Sequence, residues 1–265
     1  MGRIKVVEVM SAYGQQPRER SAPLAPLLYT LAEPAEKDGT TYTHMICVHV
    51  PDGKVPPALE EALRANFNET IEQGDTYPFE RTMDRDAFEG YFFAYDVVVG
   101  ILVEPKVASE DGSEVLLADV LGASHAASLY DLLSTIAWPA QLGGYYYVKP
   151  NYPGRSSHIC NAGFVVPTAS RGLRLGSVLG RSYLRVAPAL GYLASVFNLV
   201  YETNQASAKI WERLGFEVVG RVPRAGLLRL PNVDGGGFHD AYVDALIIYK
   251  AFAAHAEPKE ETSQV

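Results

Sequence analysis

The stretch "GFVVPTASRGLRLGSVLGRSYLRVAPALGY", residues 163–192, constrains this chain more than any other. An apolar, β-branched run stops at Pro167. A short loop then carries Arg171-Gly172 and, four residues on, Gly176. Only from there does a helical face develop, through Leu175, Val178, Leu179, Ser182, Val186 and Leu190, with Pro188 expected to end or kink its last turn. Glycine is a poor helix former, so a pair of them ahead of a long amphipathic helix needs a reason. A helix N-terminus carries about half a positive charge and four N–H donors without intrahelical partners. Glycines there let an anion reach those donors, and Arg171 and Arg174 add charge. The loop is not a P-loop, because no Gly-Lys-Ser/Thr follows, and it lacks the Gly-x-Gly opening of a Rossmann fingerprint. It suits a pyrophosphate. The competing reading is a tight strand-to-helix turn that binds nothing.

Around this turn strands and helices alternate, which predicts an α/β fold. Residues 1–42, rich in Pro, Glu and Ala, read as an irregular arm. Strands are expected at 43–51, 91–103, 143–154, 156–167, 194–202, 216–226 and 242–252. Helices are expected at 56–74, 84–92, 123–138 and 204–215, the last with Asn204 as N-cap and Gly215 closing it. Residues 104–144 read as an insertion in a single domain spanning 43–253, and 254–265 as a disordered tail.

Of the 265 residues, 48% are hydrophobic, enough for one sizeable core. The net charge of −8 argues against binding nucleic acid through phosphates. The most apolar run, 95–103, is too short to span a bilayer. Cys47 and Cys160 sit in strand-like runs and read as buried free thiols, which with the lack of a signal-peptide core points to the cytoplasm, with the mitochondrion as the alternative. No metal is expected.

"RGLRLG" between a strand and a helix resembles motif A of the GNAT acetyltransferases, and "ETNQASAKIWERLGFEVVGRV", 202–222, resembles their motif B. The resemblance implies a mixed, mostly antiparallel central sheet splayed between the family's fourth and fifth strands and flanked by helices. It implies acetyl-CoA as co-substrate, with the pyrophosphate on the backbone of Arg171, Gly172, Leu173, Arg174, Leu175, Gly176 and Ser177. The pantetheine arm would run along Phe164, Val165 and Val166, and Asn204, Ser207 and Trp211 would face it from the motif-B helix. A narrower likeness, over 143–222, is to the fungal acetyltransferases that detoxify proline analogues such as azetidine-2-carboxylate. It implies an acceptor pocket formed by Asn161, Phe164, Asn198 and Leu199, and a homodimer.

The residue chemistry can be weighed against that likeness. Asn is depleted in strands, so Asn161 and Asn198 on the two central strands look placed to bind a carboxylate or zwitterion. The bland alternative is a pair of satisfied buried amides. An amine with a pKa near ~10 must lose a proton before it attacks the thioester directly. Glu202, at the end of the fifth strand, is the acid nearest the motif residues; Asn161 and Asn204 are the further catalytic candidates, Asn204 as holder of a water. Many GNAT enzymes place a Tyr where this chain has Trp211, whose indole cannot act as an acid at neutral pH. His158 reads as a partnered structural residue. Three functions compete: an acetyltransferase of a small cyclic amino acid, one acting on a polyamine, another small amine or a protein amine, and a non-enzymatic acyl-CoA-binding module.

Overall fold

The computed structural model describes residues 22–51, 53–233 and 235–252. Its elements run β1 (Leu27–Lys37), β2 (Thr40–Val50), α1 (Pro57–Gln73), α2 (Arg85–Phe92), β3 (Asp96–Val103), β4 (Ser113–Glu114), α3 (Leu117–Leu121), α4 (Leu129–Ser134), β5 (Leu142–Pro150), β6 (Ile159–Val165), α5 (Leu175–Ala189), β7 (Ala194–Tyr201), α6 (Gln205–Arg213), β8 (Glu217–Pro231) and β9 (Phe238–Ala251). The strands form one sheet in the order β4-β1-β2-β3-β5-β6-β7-β9-β8, antiparallel except between β6 and β7.

Alternation along the strands separates two cores. On β5, Tyr145 and Tyr147 point to the face covered by α1 to α4, while Tyr146 and Val148 point to the face covered by α5. The apolar stripe of α5, Leu175, Val178, Leu179, Tyr183 and Val186, closes the second face. Pro188 sits one residue before the helix ends, as its missing N–H dictates.

Several expectations change. The irregular arm was expected to reach residue 42, yet Leu27–Lys37 is a strand paired with both β2 and β4. Pro34 and the glutamates disguise it in sequence; a register shift between Thr30 and Ala35 absorbs the interruption. The first part of that arm, through residue 21, and the tail from 254 lie outside the described residues. The strand expected from residue 91 begins at Asp96, because Tyr91 and Phe92 close α2. The single helix expected over 123–138 is one short helix, α4, with α3 ahead of it. Within 104–144, Leu117, Val120, Leu132, Leu133 and Ile136 join the core under β3 and β5, and Leu142–Gly144 already belong to β5. The last two strands are longer than expected, at 15 and 14 residues, and form a hairpin with its own small core around Leu228 and Val243.

What positions the site is the junction of β6 and β7. They pair only at Ile159 with Ala194 and Cys160 with Ser195. There the Tyr183 hydroxyl on α5 lies 3.0 Å from the Cys160 sulfur and 2.6 Å from the Ser195 hydroxyl, pinning both strands at one point. Beyond that point they part, and the β7-facing edge of β6 has no strand partner.

Candidate active site

Two cavities occupy the wedge. The smaller, of about 250 Å³, lies between β6 and β7: Tyr77 and Tyr91 from the α1–α2 region and Tyr147 of β5 are on one side, Phe197, Asn198 and Tyr201 on the other. The larger, of about 890 Å³, lies between β6, the start of α5, α6 and the far end of the β8–β9 hairpin. They share one wall, formed by Thr76, Phe164, Asn204, Ser207 and Trp211.

In the smaller cavity Asn161 and Asn198 face each other across the opening, and a residue not singled out in the sequence joins them. Asn151 Oδ1 accepts from Asn198 Nδ2 at 2.6 Å and from Asn161 Nδ2 at 3.0 Å, while Asn151 Nδ2 donates to Asn198 Oδ1 at 3.2 Å. A bulge in β7 between Phe197 and Val200, where three steps oppose two on β9, carries Asn198 and Leu199. It leaves Asn198 half-buried at the cavity and Leu199 at 43% exposure on its rim. The only sequence cue to Asn151 is its place in the turn between two strands, which reads as ordinary turn chemistry.

The shared wall is aromatic. Trp211 is buried, with ring centres of Phe164 and Phe197 each 4.7 Å from its own. Its indole N–H donates to the Ser207 hydroxyl oxygen at 3.1 Å, and Asn204 caps α6 by accepting from the Ser207 backbone N–H at 3.1 Å. The Ser207 hydroxyl therefore keeps its own hydrogen for a further partner. Tyr77 donates to the Phe164 carbonyl at 3.2 Å. Burial pushes the phenols of Tyr77 and Tyr147 well above their ordinary value, so both stay neutral donors. Two residues that line the smaller cavity have hydroxyls, Thr76 Oγ1 and Tyr201 Oη, buried without a hydrogen-bond partner. Such groups cost free energy until something bonds them.

In the glycine turn, Gly172 takes φ +84° and Arg174 φ +58° before α5 begins. Gly172 is exposed, with nothing within 4 Å of where a Cβ would sit, so its requirement is conformational. Gly176 answers to a different constraint. A Cβ there would meet Ile210 of α6 at 3.1 Å, so it permits the close approach of the two helices at the cavity wall. Phe164, Val165, Val166, Arg171, Gly176, Asn204, Ser207 and Trp211 all line the larger cavity. Gly172, Leu173, Arg174, Leu175 and Ser177 do not, and Leu175 points into the core.

Glu202 is not brought to either cavity. It is exposed and held by Arg221 through two hydrogen bonds of 2.8 and 3.0 Å, with Arg221 also paired to Asp244 at 2.8 Å. The assignment of Glu202 as proton acceptor is corrected accordingly: it lies one residue past the end of β7, where the neighbouring β8 arginine claims it. His158 is exposed and donates through Nδ1 to the Arg155 carbonyl at 3.2 Å. Among the described residues no cluster of His, Cys, Asp and Glu could hold a metal, and no helix is long and apolar enough to cross a membrane.

A single mixed sheet that splays beside a glycine turn and a capped motif-B helix defines an acetyltransferase of the GNAT type. The chain is 39% identical to N-acetyltransferase aca1 of Schizosaccharomyces pombe over 181 residues, 68% of this chain and 74% of that one. It is also similar in fold to a GCN5-related N-acetyltransferase from Kribbella flavida, with a TM-score of 0.54 and 21% identity over 77% of this chain and 97% of that one. A second solved structure, the acetyltransferase yncA from Salmonella typhimurium with its cofactor acetyl-CoA, aligns with a TM-score of 0.52 and 17% identity over 78% of this chain and 96% of that one. No protein-family model matches the chain. The chain belongs to the GNAT superfamily of N-acetyltransferases.

Proposed function

We propose that this chain transfers the acetyl group of acetyl-CoA to a small amine, with a cyclic amino acid of the azetidine-2-carboxylate type as the favoured acceptor. One observation carries the reading: two cavities of different size and chemistry share a single wall where β6 and β7 part. The larger cavity, with Arg171 at its edge, suits the donor, and the unpaired edge of β6 suits a pantetheine arm that hydrogen-bonds as an added strand would. The smaller, at about 250 Å³, falls below the ~300–1,000 Å³ of drug-sized ligand sites, which favours a compact acceptor over an aminoglycoside.

The neutral amine attacks the thioester carbonyl carbon across the shared wall. Backbone N–H and C=O of one strand residue point to the same edge, so the Phe164 N–H lies on the side of the carbonyl that Tyr77 holds and can stabilise the oxyanion. As the tetrahedral intermediate collapses, the C–S bond breaks and the thiolate leaves. The Ser207 hydroxyl, turned outward by the Trp211 N–H, donates to it. With Glu202 committed to Arg221, the amine proton falls to another acid. Asp75 has a buried carboxylate oxygen without a partner in the larger cavity, one residue from Thr76, and is assigned that role. Asp75→Asn should lower kcat by about 10²–10⁴-fold, the usual worth of general acid–base catalysis, in a protein that still binds acetyl-CoA.

The test is thiol release from acetyl-CoA with azetidine-2-carboxylate, cis-4-hydroxyproline, spermidine and a lysine peptide side by side. Fastest release with a cyclic amino acid supports the reading. Preference for spermidine or the peptide replaces the acceptor, and no release with any amine removes the enzymatic reading in favour of an acyl-CoA-binding module.

A further inference from the structure

No residue lining the smaller cavity carries a charge. Behind one side of its wall stands Lys149 on β5. It stands directly opposite Asn161 in the β5–β6 pairing, and therefore on the same face of the sheet. It is two residues from Tyr147 and shares that residue's face as well. Its ammonium lies 5.3 Å from the centre of the Tyr91 ring and 5.0 Å from that of Tyr147. Both rings line the cavity, and their hydroxyls are hydrogen-bonded to each other at 2.8 Å. Among the described residues no carboxylate pairs with this ammonium; the ring faces are its partners. A partly desolvated cation held against two aromatic faces keeps a need for an anion that the protein itself does not meet.

We infer that Lys149 is the counter-ion of the acceptor: the amine taken by this site bears a carboxylate, which approaches the Lys149 ammonium while Asn161 and Asn198 face the rest of the molecule. This rests on the acetyltransferase reading above and narrows its acceptor class. A polyamine would bring more positive charge to a wall backed by the Lys149 ammonium, and no residue lining the cavity is a carboxylate. Burial lowers the pKa of Lys149, and an arriving carboxylate offsets that cost.

The experiment compares azetidine-2-carboxylate with its carboxamide, which keeps the secondary amine and loses the negative charge, in the wild-type chain and in Lys149→Met and Lys149→Arg. The wild type should favour the carboxylate in kcat/KM by roughly ten- to a hundredfold, the range of a hydrogen bond to a charged group. Lys149→Met should bring that ratio close to one, mainly through KM, and Lys149→Arg should keep most of it. A ratio unchanged in Lys149→Met overturns the inference, and so does a wild type that does not distinguish the two acceptors. Calorimetry of the same two ligands without acetyl-CoA separates this failure from that of the parent reading. A Lys149-dependent preference in binding, with no acetyl transfer to any amine, keeps the counter-ion role and removes the enzymatic one. No preference in binding, with transfer intact, does the reverse.

Discussion

The two cavities on either side of Trp211 are built on different principles. The larger is rimmed by charge: Glu69, Glu72 and Asp75 from α1 and the turn after it, Arg171 from the glycine turn, and Arg229 from the hairpin. The smaller is lined by aromatic rings, amides and hydroxyls. A donor that carries phosphates can be held by cations and a helix N-terminus at the protein surface, where flexibility costs little. An acceptor that must lose a proton is better held by shape and neutral hydrogen bonds, because a lining carboxylate would stabilise its protonated, unreactive form. The difference teaches that charge in this site is kept mainly for the spectator groups of both substrates, with Asp75, beside the shared wall, as the one charge assigned to the reaction.

The largest expected effect breaks the comparison on the donor side. Arg171→Glu combined with Arg174→Glu reverses one charge at the cavity edge and a second beside it in the turn. Each lost hydrogen bond to a charged group is worth about 1.5–3 kcal/mol, so acetyl-CoA affinity should fall by roughly a hundredfold or more, measured by calorimetry. The acceptor KM at saturating acetyl-CoA should hardly move; a parallel rise would mean that the cavities are not separate in function. Next, Ser207→Ala should lower kcat by about a hundredfold while leaving both KM values close to wild type, the signature of an interaction made only as the thiolate leaves. Trp211→Phe, which removes the N–H that turns Ser207 together with part of the buried ring, should cost less in kcat than Ser207→Ala in the same assay.

On the acceptor side, Asn198→Ala should raise the KM for azetidine-2-carboxylate by roughly tenfold or more. Asn151→Ala should do nearly the same without touching the acceptor, because Asn151 orients both neighbouring amides. The double variant should then fall well short of the product of the two losses, and full additivity would show that the three amides act independently. The smallest effect is reserved for Glu202. Its ion pair with Arg221 is exposed, so Glu202→Gln should leave activity within about twofold and cost less than ~1 kcal/mol in denaturant unfolding. A hundredfold loss of kcat would restore Glu202 as the proton acceptor and displace Asp75.

Much of this was legible in advance, for reasons that differ by residue. The glycine turn, α5, β7 and the capped α6 carry local signals: a left-handed Gly172, an apolar stripe at helical spacing, an Asn that caps its own helix. Asn161, Phe164 and Asn198 stood out because they were odd or matched in their strands, and the structure brings all three to one cavity. Strand β1 did not read as a strand, since Pro34 and its glutamates interrupt the pattern and are absorbed by a register shift in its pairing with β2. Tyr77, Tyr91 and Tyr147 were unremarkable among 16 tyrosines until their rings met around one space.

By itself the sequence determined the elements around the site and the family to which they belong, because caps, turns and periodic faces act over a few neighbouring residues. The tertiary structure alone decided which polar groups meet. Asn151 reaches Asn198 from 47 positions away, and Arg221 takes Glu202 from 19. Lys149 lies 58 positions from Tyr91, yet its ammonium rests on that ring. The physical reason is range. A hydrogen bond or an ion pair acts over a few ångströms of space, and distance along the chain says nothing about that until the strands have chosen their partners.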